Sequence, residues 1–210
     1  MPPSLPDGRL IVIEGIDGTG KTTLARGLSE RLATEGYDVE RLREPTDGPF
    51  GRRIRELARS GRDHVTAREE LDLFLDDRRE NVRDHIVPAL DRGVVVVLDR
   101  YYFSTMAYQG ARGLDPEAIR RENETFAPPP DLLLYLTIPI EWVGRRIEGQ
   151  RGGERDHFER EDYLRRVQAI FDAIEHPAKV TVDATCDAAS LLETCLARAR
   201  ECLSRPPRRA

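Results

Sequence analysis

The segment Gly15-Ile16-Asp17-Gly18-Thr19-Gly20-Lys21-Thr22 constrains this chain more than any other. It fits the phosphate-binding loop pattern of Gly, four residues, Gly-Lys-Thr. The apolar run Leu10-Ile11-Val12-Ile13 before it reads as a buried strand, and Thr23-Leu24-Ala25-Arg26-Gly27-Leu28 after it as the start of a helix. Glycines let such a loop turn its N–H groups inward around a phosphate, and the helix N-terminus adds partial positive charge. Gly15, Ile16, Asp17, Gly18, Thr19, Gly20, Lys21, Thr22 and Thr23 would then surround the phosphates of ATP. Lys21 would reach the β- and γ-phosphates, and the Thr22 hydroxyl would hold Mg²⁺. A purely structural Gly-rich turn is the alternative. The strand, loop and helix in sequence argue against it.

At 210 residues the chain has room for one domain with a sizeable core. We expect that domain over residues 9–203, with flexible tails at 1–8 and 204–210 and a short lid at about 149–157. A net charge of −5 gives no reason to expect nucleic-acid binding. No stretch has the length and apolarity of a membrane span, so no membrane partner is expected either. Met1-Pro2-Pro3-Ser4-Leu5-Pro6-Asp7 lacks the charged and apolar regions of a signal peptide, and the expectation is a cytoplasmic protein. Cys186, Cys195 and Cys202 are too widely spaced for a zinc knuckle and read as buried apolar thiols in a reducing cytosol.

Apolar runs alternate with helical patterns, which predicts an α/β fold with a parallel sheet and crossover helices. Strands are expected at Leu10–Ile13, Asp38–Leu42, Val94–Leu98, Leu132–Leu136 and Lys179–Val182. That makes five, in a three-layer sandwich. Helices are expected from the loop to Thr34, at Gly51–Ser60, through Ala67–Asp91, from Pro139, over Phe158–Ile174 and over Ala188–Leu203. A loop with short helices runs between Arg100 and Phe126, and Gly149–Asp156 reads as a charged, mobile loop.

The run Val94–Leu98 ends in Asp99. An acidic residue at the C-terminal end of a central strand lies where open α/β sheets place their ligands, and there it can hold Mg²⁺, usually through water. Arg100 follows, and a guanidinium suits charge spread over phosphoryl oxygens. Arg43, Arg78, Arg151 and Arg155 are further candidates. Position alone does not separate them from surface arginines.

Five blocks, in order, resemble the thymidylate (dTMP) kinase family of nucleoside monophosphate kinases. They are Glu14–Thr23; Arg43-Glu44-Pro45-Thr46; Phe74-Leu75-Asp76-Asp77-Arg78; Asp99-Arg100-Tyr101 with Ser104 and Ala107-Tyr108-Gln109-Gly110; and Pro130-Asp131-Leu132 through Leu136. The resemblance implies a homodimer that transfers the γ-phosphate of ATP to dTMP with Mg²⁺. It implies that Asp17 accepts from the 3′-hydroxyl and lies near the metal held by Thr22 and Asp99. It places Phe74 under the thymine ring, Arg78 at the 4-oxo group, and Ser104, Thr105 and Gln109 along the base edge. Tyr108 packs on the sugar, Pro45 lies beside the acceptor, and Arg43 and Arg100 clamp phosphates. Some members carry a catalytic arginine in the phosphate loop and others in the lid. Gly18 and Thr19 leave none in this loop, so Arg151 or Arg155 is expected to fill that role, and only one need do so. Asp76 and Thr137 depart from the family pattern without touching a reacting group.

Three rival readings stand beside this one. A kinase for another deoxynucleoside monophosphate, or for a nucleoside, would share most blocks, and Arg78, Tyr108 and Gln109 argue against it. A GTP-binding switch needs an Asn-Lys-x-Asp motif, which lysines at 21 and 179 alone cannot supply. A nucleotide-binding regulator without catalysis would not need every phosphate-handling block.

Overall fold

The structure is a computed structural model that describes residue 5 and residues 7–61, 65–146 and 154–206, with the side chains of 144–146 and 154–160 outside that description. Its centre is the strand β1 (Arg9–Glu14), every residue of which is buried. A strand buried on both faces reads as an unbroken apolar run, and Leu10–Ile13 and Val95–Leu98 of β3 (Val95–Asp99) are such runs. The remaining strands are β2 (Val39–Arg43), β4 (Leu132–Thr137) and β5 (Lys179–Asp183). The sheet order is β2-β3-β1-β4-β5, parallel at every pairing. The two edge strands, β2 and β5, are correspondingly less buried.

Because β1 connects outward to β2 and β2 returns inward to β3, right-handed crossovers put their helices on opposite faces. The helix α1 (Lys21–Thr34) lies over β2 and β3 and packs on α9 (Ala188–Leu203). The other layer contains α2 (Pro49–Ser60), α3 (Ala67–Asn81), α5 (Tyr102–Gly110), α6 (Pro116–Glu124) and α8 (Glu154–Ala173), with α3 on α5 and α5 on α8. Thr66 and Glu69 form a reciprocal capping box that fixes where α3 begins. α7 (Ile140–Arg146) follows β4.

Several expectations need correction. The helix expected through Ala67–Asp91 is α-helical only to Asn81. Val82–Ile86 then forms a π turn, with the Val87 N–H bonded to Val82 O, and α4 (Val87–Asp91) completes the run. Pro88 would press on the Asp84 carbonyl of a regular helix, and widening by one residue relieves that clash. The segment after Arg100 is more regular than expected, with α5 starting at Tyr102. Glu154, Arg155 and Asp156, expected in the lid loop, already belong to the backbone of α8. Gly8 is not a tail residue: its N–H donates to Leu90 O at 2.8 Å, and a Cβ there would lie 2.3 Å from Val94 O. Cys195 is buried and Cys202 partly so, but Cys186 is exposed. No helix among the described residues is long and apolar enough to cross a membrane.

Candidate active site

β1 and β3 end side by side, with Ile13 in register with Asp99. This pairing brings the loop after β1 against Asp99 and Arg100. Gly15 has φ 144°, and a Cβ there would meet Leu136 O at 2.5 Å, so only glycine lets the chain leave the sheet here. Gly20 caps α1 with φ 90° and open space on its Cβ side. The loop therefore presents an accessible helix N-terminus, which suits an anion.

The charged groups around the loop are held by partners within the protein. Lys21 Nζ donates to Ile16 O at 2.7 Å. Burial, with Arg100 nearby, pushes its ammonium down to about 7. The Thr22 hydroxyl donates to Asp99 Oδ2 at 2.6 Å, while the buried Asp99 Oδ1 has no hydrogen-bond partner among the described residues. A hydroxyl next to an orphaned carboxylate oxygen at a phosphate loop is a donor set that suits a hydrated divalent cation such as Mg²⁺. Among the described residues no group of three or more His, Cys, Asp or Glu could hold a metal, so such a cation would take its other ligands from water and phosphate. Arg43, on the same groove of about 400 Å³, donates to Asp47 at 2.8 Å and is well exposed.

Arg100 Nη1 donates to Ser104 Oγ at 3.0 Å, and Nη2 donates to Asp17. These two residues open a second cavity, of about 230 Å³, that runs between α3 and α5. Its walls bring together Asp17, Pro45, Phe74, Arg100, Ser104, Thr105, Tyr108 and Gln109, eight positions singled out in the sequence. Gln109 Oε1 is buried there without a partner among the described residues. Arg100 stacks on the Tyr108 ring at 5.4 Å, and burial pushes the Tyr108 phenol up to about 12, so it stays protonated.

Arg78 is placed differently from its neighbours. It is 1% exposed and sits behind Thr105 rather than on the cavity wall. Its Nε and Nη2 donate to Glu44 Oε2 at 2.9 and 2.6 Å, Nη2 also to Thr105 Oγ1 at 3.1 Å, and Nη1 to Asn123 at 2.6 Å. Asn81 donates to the other Glu44 oxygen at 3.0 Å. These bonds use four of the five guanidinium hydrogens. Asp17, expected beside the metal and the sugar, faces the α3–α5 cavity, whereas Thr22 and Asp99 line the other groove. Arg151 lies outside the described residues, and so does the side chain of Arg155.

Some site residues carried no role in the sequence reading. Glu14, 0% exposed, accepts from Tyr101 N at 2.8 Å, Ser104 N at 3.0 Å and Ser104 Oγ at 2.5 Å. Burial pushes its carboxyl above the ordinary value, against the pull of Ser104 and Arg100. Glu70, Arg112, Arg55 and Tyr163 also line the cavity, Glu70 pairing with Arg112 and the Tyr163 hydroxyl donating to Tyr108 O at 3.0 Å. Asp77 holds the Arg43–Thr46 turn by bonds to Thr46 N at 2.8 Å and Thr46 Oγ1 at 2.6 Å. The only local signal for Glu14 was an acidic residue directly closing an apolar strand.

The family model described as thymidylate kinase matches residues 13–207. Over 187 residues the chain is 50% identical to a thymidylate kinase of Xanthomonas campestris pv. campestris (strain B100), covering 89% of this chain and 81% of that one. It is 49% identical over 197 residues to a thymidylate kinase of Akkermansia muciniphila, covering 94% and 92%. With a thymidylate kinase of Xylella fastidiosa (strain M12) the identity is 45% over 199 residues, covering 95% and 90%.

Proposed function

This chain belongs to the thymidylate kinase family and phosphorylates dTMP to dTDP with ATP, and on that premise we propose how its residues divide the work. One observation carries the reading: a cavity lined by Phe74 and Gln109 reaches the phosphate loop at Asp17, beside Arg100. A base held in that cavity points its 5′-phosphate at the γ-phosphate of ATP.

In the reaction an oxygen of the dTMP phosphate forms a bond to the γ-phosphorus as the bond from that phosphorus to the β-bridging oxygen breaks, and ADP leaves. The acceptor is already anionic, so alignment and charge neutralisation do most of the catalysis. Lys21 exchanges its bond to Ile16 O for the β- and γ-phosphate oxygens, which restores the charge that burial disfavours. Arg100, and Arg43 from the other groove, take the acceptor and transferred phosphates. Thr22 and Asp99 would hold Mg²⁺, with Asp17 on the adjoining cavity, and the ion would supply positive charge that neutralises and orients the phosphates. Asp17 also accepts from the 3′-hydroxyl. Phe74 stacks on thymine, Tyr108 covers the sugar, and Pro45 closes the side of the cavity. Ser104, Thr105 and Gln109 line the base edge, and Arg78 acts on the 4-oxo group through Thr105, whose Oγ1 accepts from it. The donor's base fits the groove between α1 and α9, of about 500 Å³, which Gly20, Arg26 and Ala184 line. Arg151 or Arg155 closes over the transferred phosphoryl group.

We also propose one kinase domain from Gly8 to about residue 203 with a lid before α8, short tails outside it, a homodimer, and cytoplasmic residence; the family resemblance supports each. The acceptor assignment is tested by ADP release with Mg²⁺ across dTMP, dUMP, dCMP, dGMP, UMP and thymidine. The reading expects dTMP to lead and dCMP to trail by at least about a hundredfold in kcat/KM, the discrimination achievable when buried polar groups would be left unpaired. Equal turnover of dCMP would overturn the base-edge assignment.

A further inference from the structure

Arg100 is the one non-glycine residue with positive φ among the described residues, at 71°. A bulky side chain holds that backbone region only where neighbouring structure over-determines it. The constraint comes from β1. Arg100 N donates to Ile13 O at 3.0 Å, and the next N–H, of Tyr101, donates to the Glu14 carboxylate at 2.8 Å. The ladder between β1 and β3 thus continues one residue past the sheet, with a side chain in place of a carbonyl. The same carboxylate then takes Ser104 N at 3.0 Å and Ser104 Oγ at 2.5 Å, fixing the first turn of α5.

We propose that Glu14 is a positioning residue for Arg100, acting both on its backbone and, through the Ser104 hydroxyl, on its guanidinium. A serine hydroxyl has one hydrogen. Here it is committed to Glu14, so Ser104 offers Arg100 only lone pairs, and Arg100 Nη1 donates to them at 3.0 Å. Asp17 holds Nη2 from the other side. The guanidinium is therefore aimed before any phosphate arrives, and the rotamer entropy of a long side chain is lost on folding rather than on binding. An unpaired buried carboxylate would be costly, yet this one is met by three donors belonging to the Arg100 turn and to α5.

The proposal rests on Arg100 acting on the phosphates, and a double-mutant cycle keeps the two apart. Glu14→Gln retains an acceptor for the two N–H groups and removes the charge. It should lower kcat about tenfold or more while KM for ATP stays within about twofold. In an Arg100→Ala background the same substitution should have almost no further effect, because coupled residues do not add. If Arg100→Ala itself turns over normally, the reading of the site fails. If Arg100→Ala is impaired but Glu14→Gln is as active as wild type, or its loss simply adds, the positioning role fails. Should Glu14→Gln not fold, Ser104→Ala leaves both backbone anchors intact and cuts the relay, while its place on the base edge shows separately in KM for dTMP. It should show the same kcat loss in a folded protein, and normal kcat would overturn the relay.

Discussion

The two ends of the proposed site are built on opposite principles. At the phosphate end, the charged groups are held by provisional partners: Lys21 on a backbone carbonyl, Thr22 on Asp99, Arg100 on Asp17. Each is a bond that a phosphate or cation can replace. At the base end, Arg78 is locked by Glu44, Asn123 and Thr105 in a buried network that no ligand needs to break. The first arrangement suits charge that moves during the reaction, and the second suits a fixed shape read before it. Interactions that strengthen in the transition state raise kcat, while those equal in ground and transition states lower KM. The phosphate end should therefore govern kcat and the base end the KM for dTMP.

Removing Lys21 should break the phosphate end most severely. Lys21→Ala is expected to lose about a thousandfold in kcat, roughly 4 kcal/mol, with the fold intact by circular dichroism. Retention of a tenth of wild-type kcat would remove it from the mechanism.

The base end should fail through stability rather than chemistry. Glu44→Ala leaves the Arg78 guanidinium buried without its counter-ion, and breaking such a pair by removing one partner costs about 3–5 kcal/mol. Urea unfolding should show that loss, and a shift below 1 kcal/mol would mean that Arg78 finds water instead.

The double variant Arg151→Ala/Arg155→Ala should cut kcat by about a hundredfold with little change in KM, at the lower end of arginine-finger effects. Normal turnover would leave the transferred charge to Arg43 and Arg100 alone.

A smaller effect separates the ends by pH. The Lys21 ammonium titrates at about 7 in the fold against an ordinary 10.5, so between these values the unfolded chain binds a proton that the folded chain does not. Stability of the ligand-free protein should therefore rise with pH across this window, by up to about 1.4 kcal/mol per pH unit from this group. Urea midpoints should show that slope in wild type and not in Lys21→Met; parallel curves would contradict it.

Much of the frame was legible because its signals are local. The run Leu10–Ile13, the glycine loop and the acidic end of Val94–Leu98 each occupy a few adjacent residues, and register then fixes Ile13 beside Asp99. The proposed acceptor positions needed the family blocks, since Phe74 and Gln109 come to line one cavity only after α3 packs on α5. What stayed hidden joins distant positions: Glu14 reaches Ser104, and Arg78 reaches Glu44 and Asn123. No period or spacing encodes such pairs. The π turn before Pro88 was missed for another reason, because a helical stripe survives one widened turn.

The division of labour is tested most directly by kcat and KM measured separately for dTMP and ATP in Phe74→Ala. Phe74 lies on the cavity wall and touches none of the phosphate-loop bonds described above. Losing base–aromatic stacking of about 1–3 kcal/mol should raise KM for dTMP roughly 5- to 150-fold, with kcat and KM for ATP within about twofold of wild type. An unchanged KM for dTMP with a collapsed kcat, or a rise in KM for ATP alone, would contradict the assignment of base reading to α3 and phosphate chemistry to the loop.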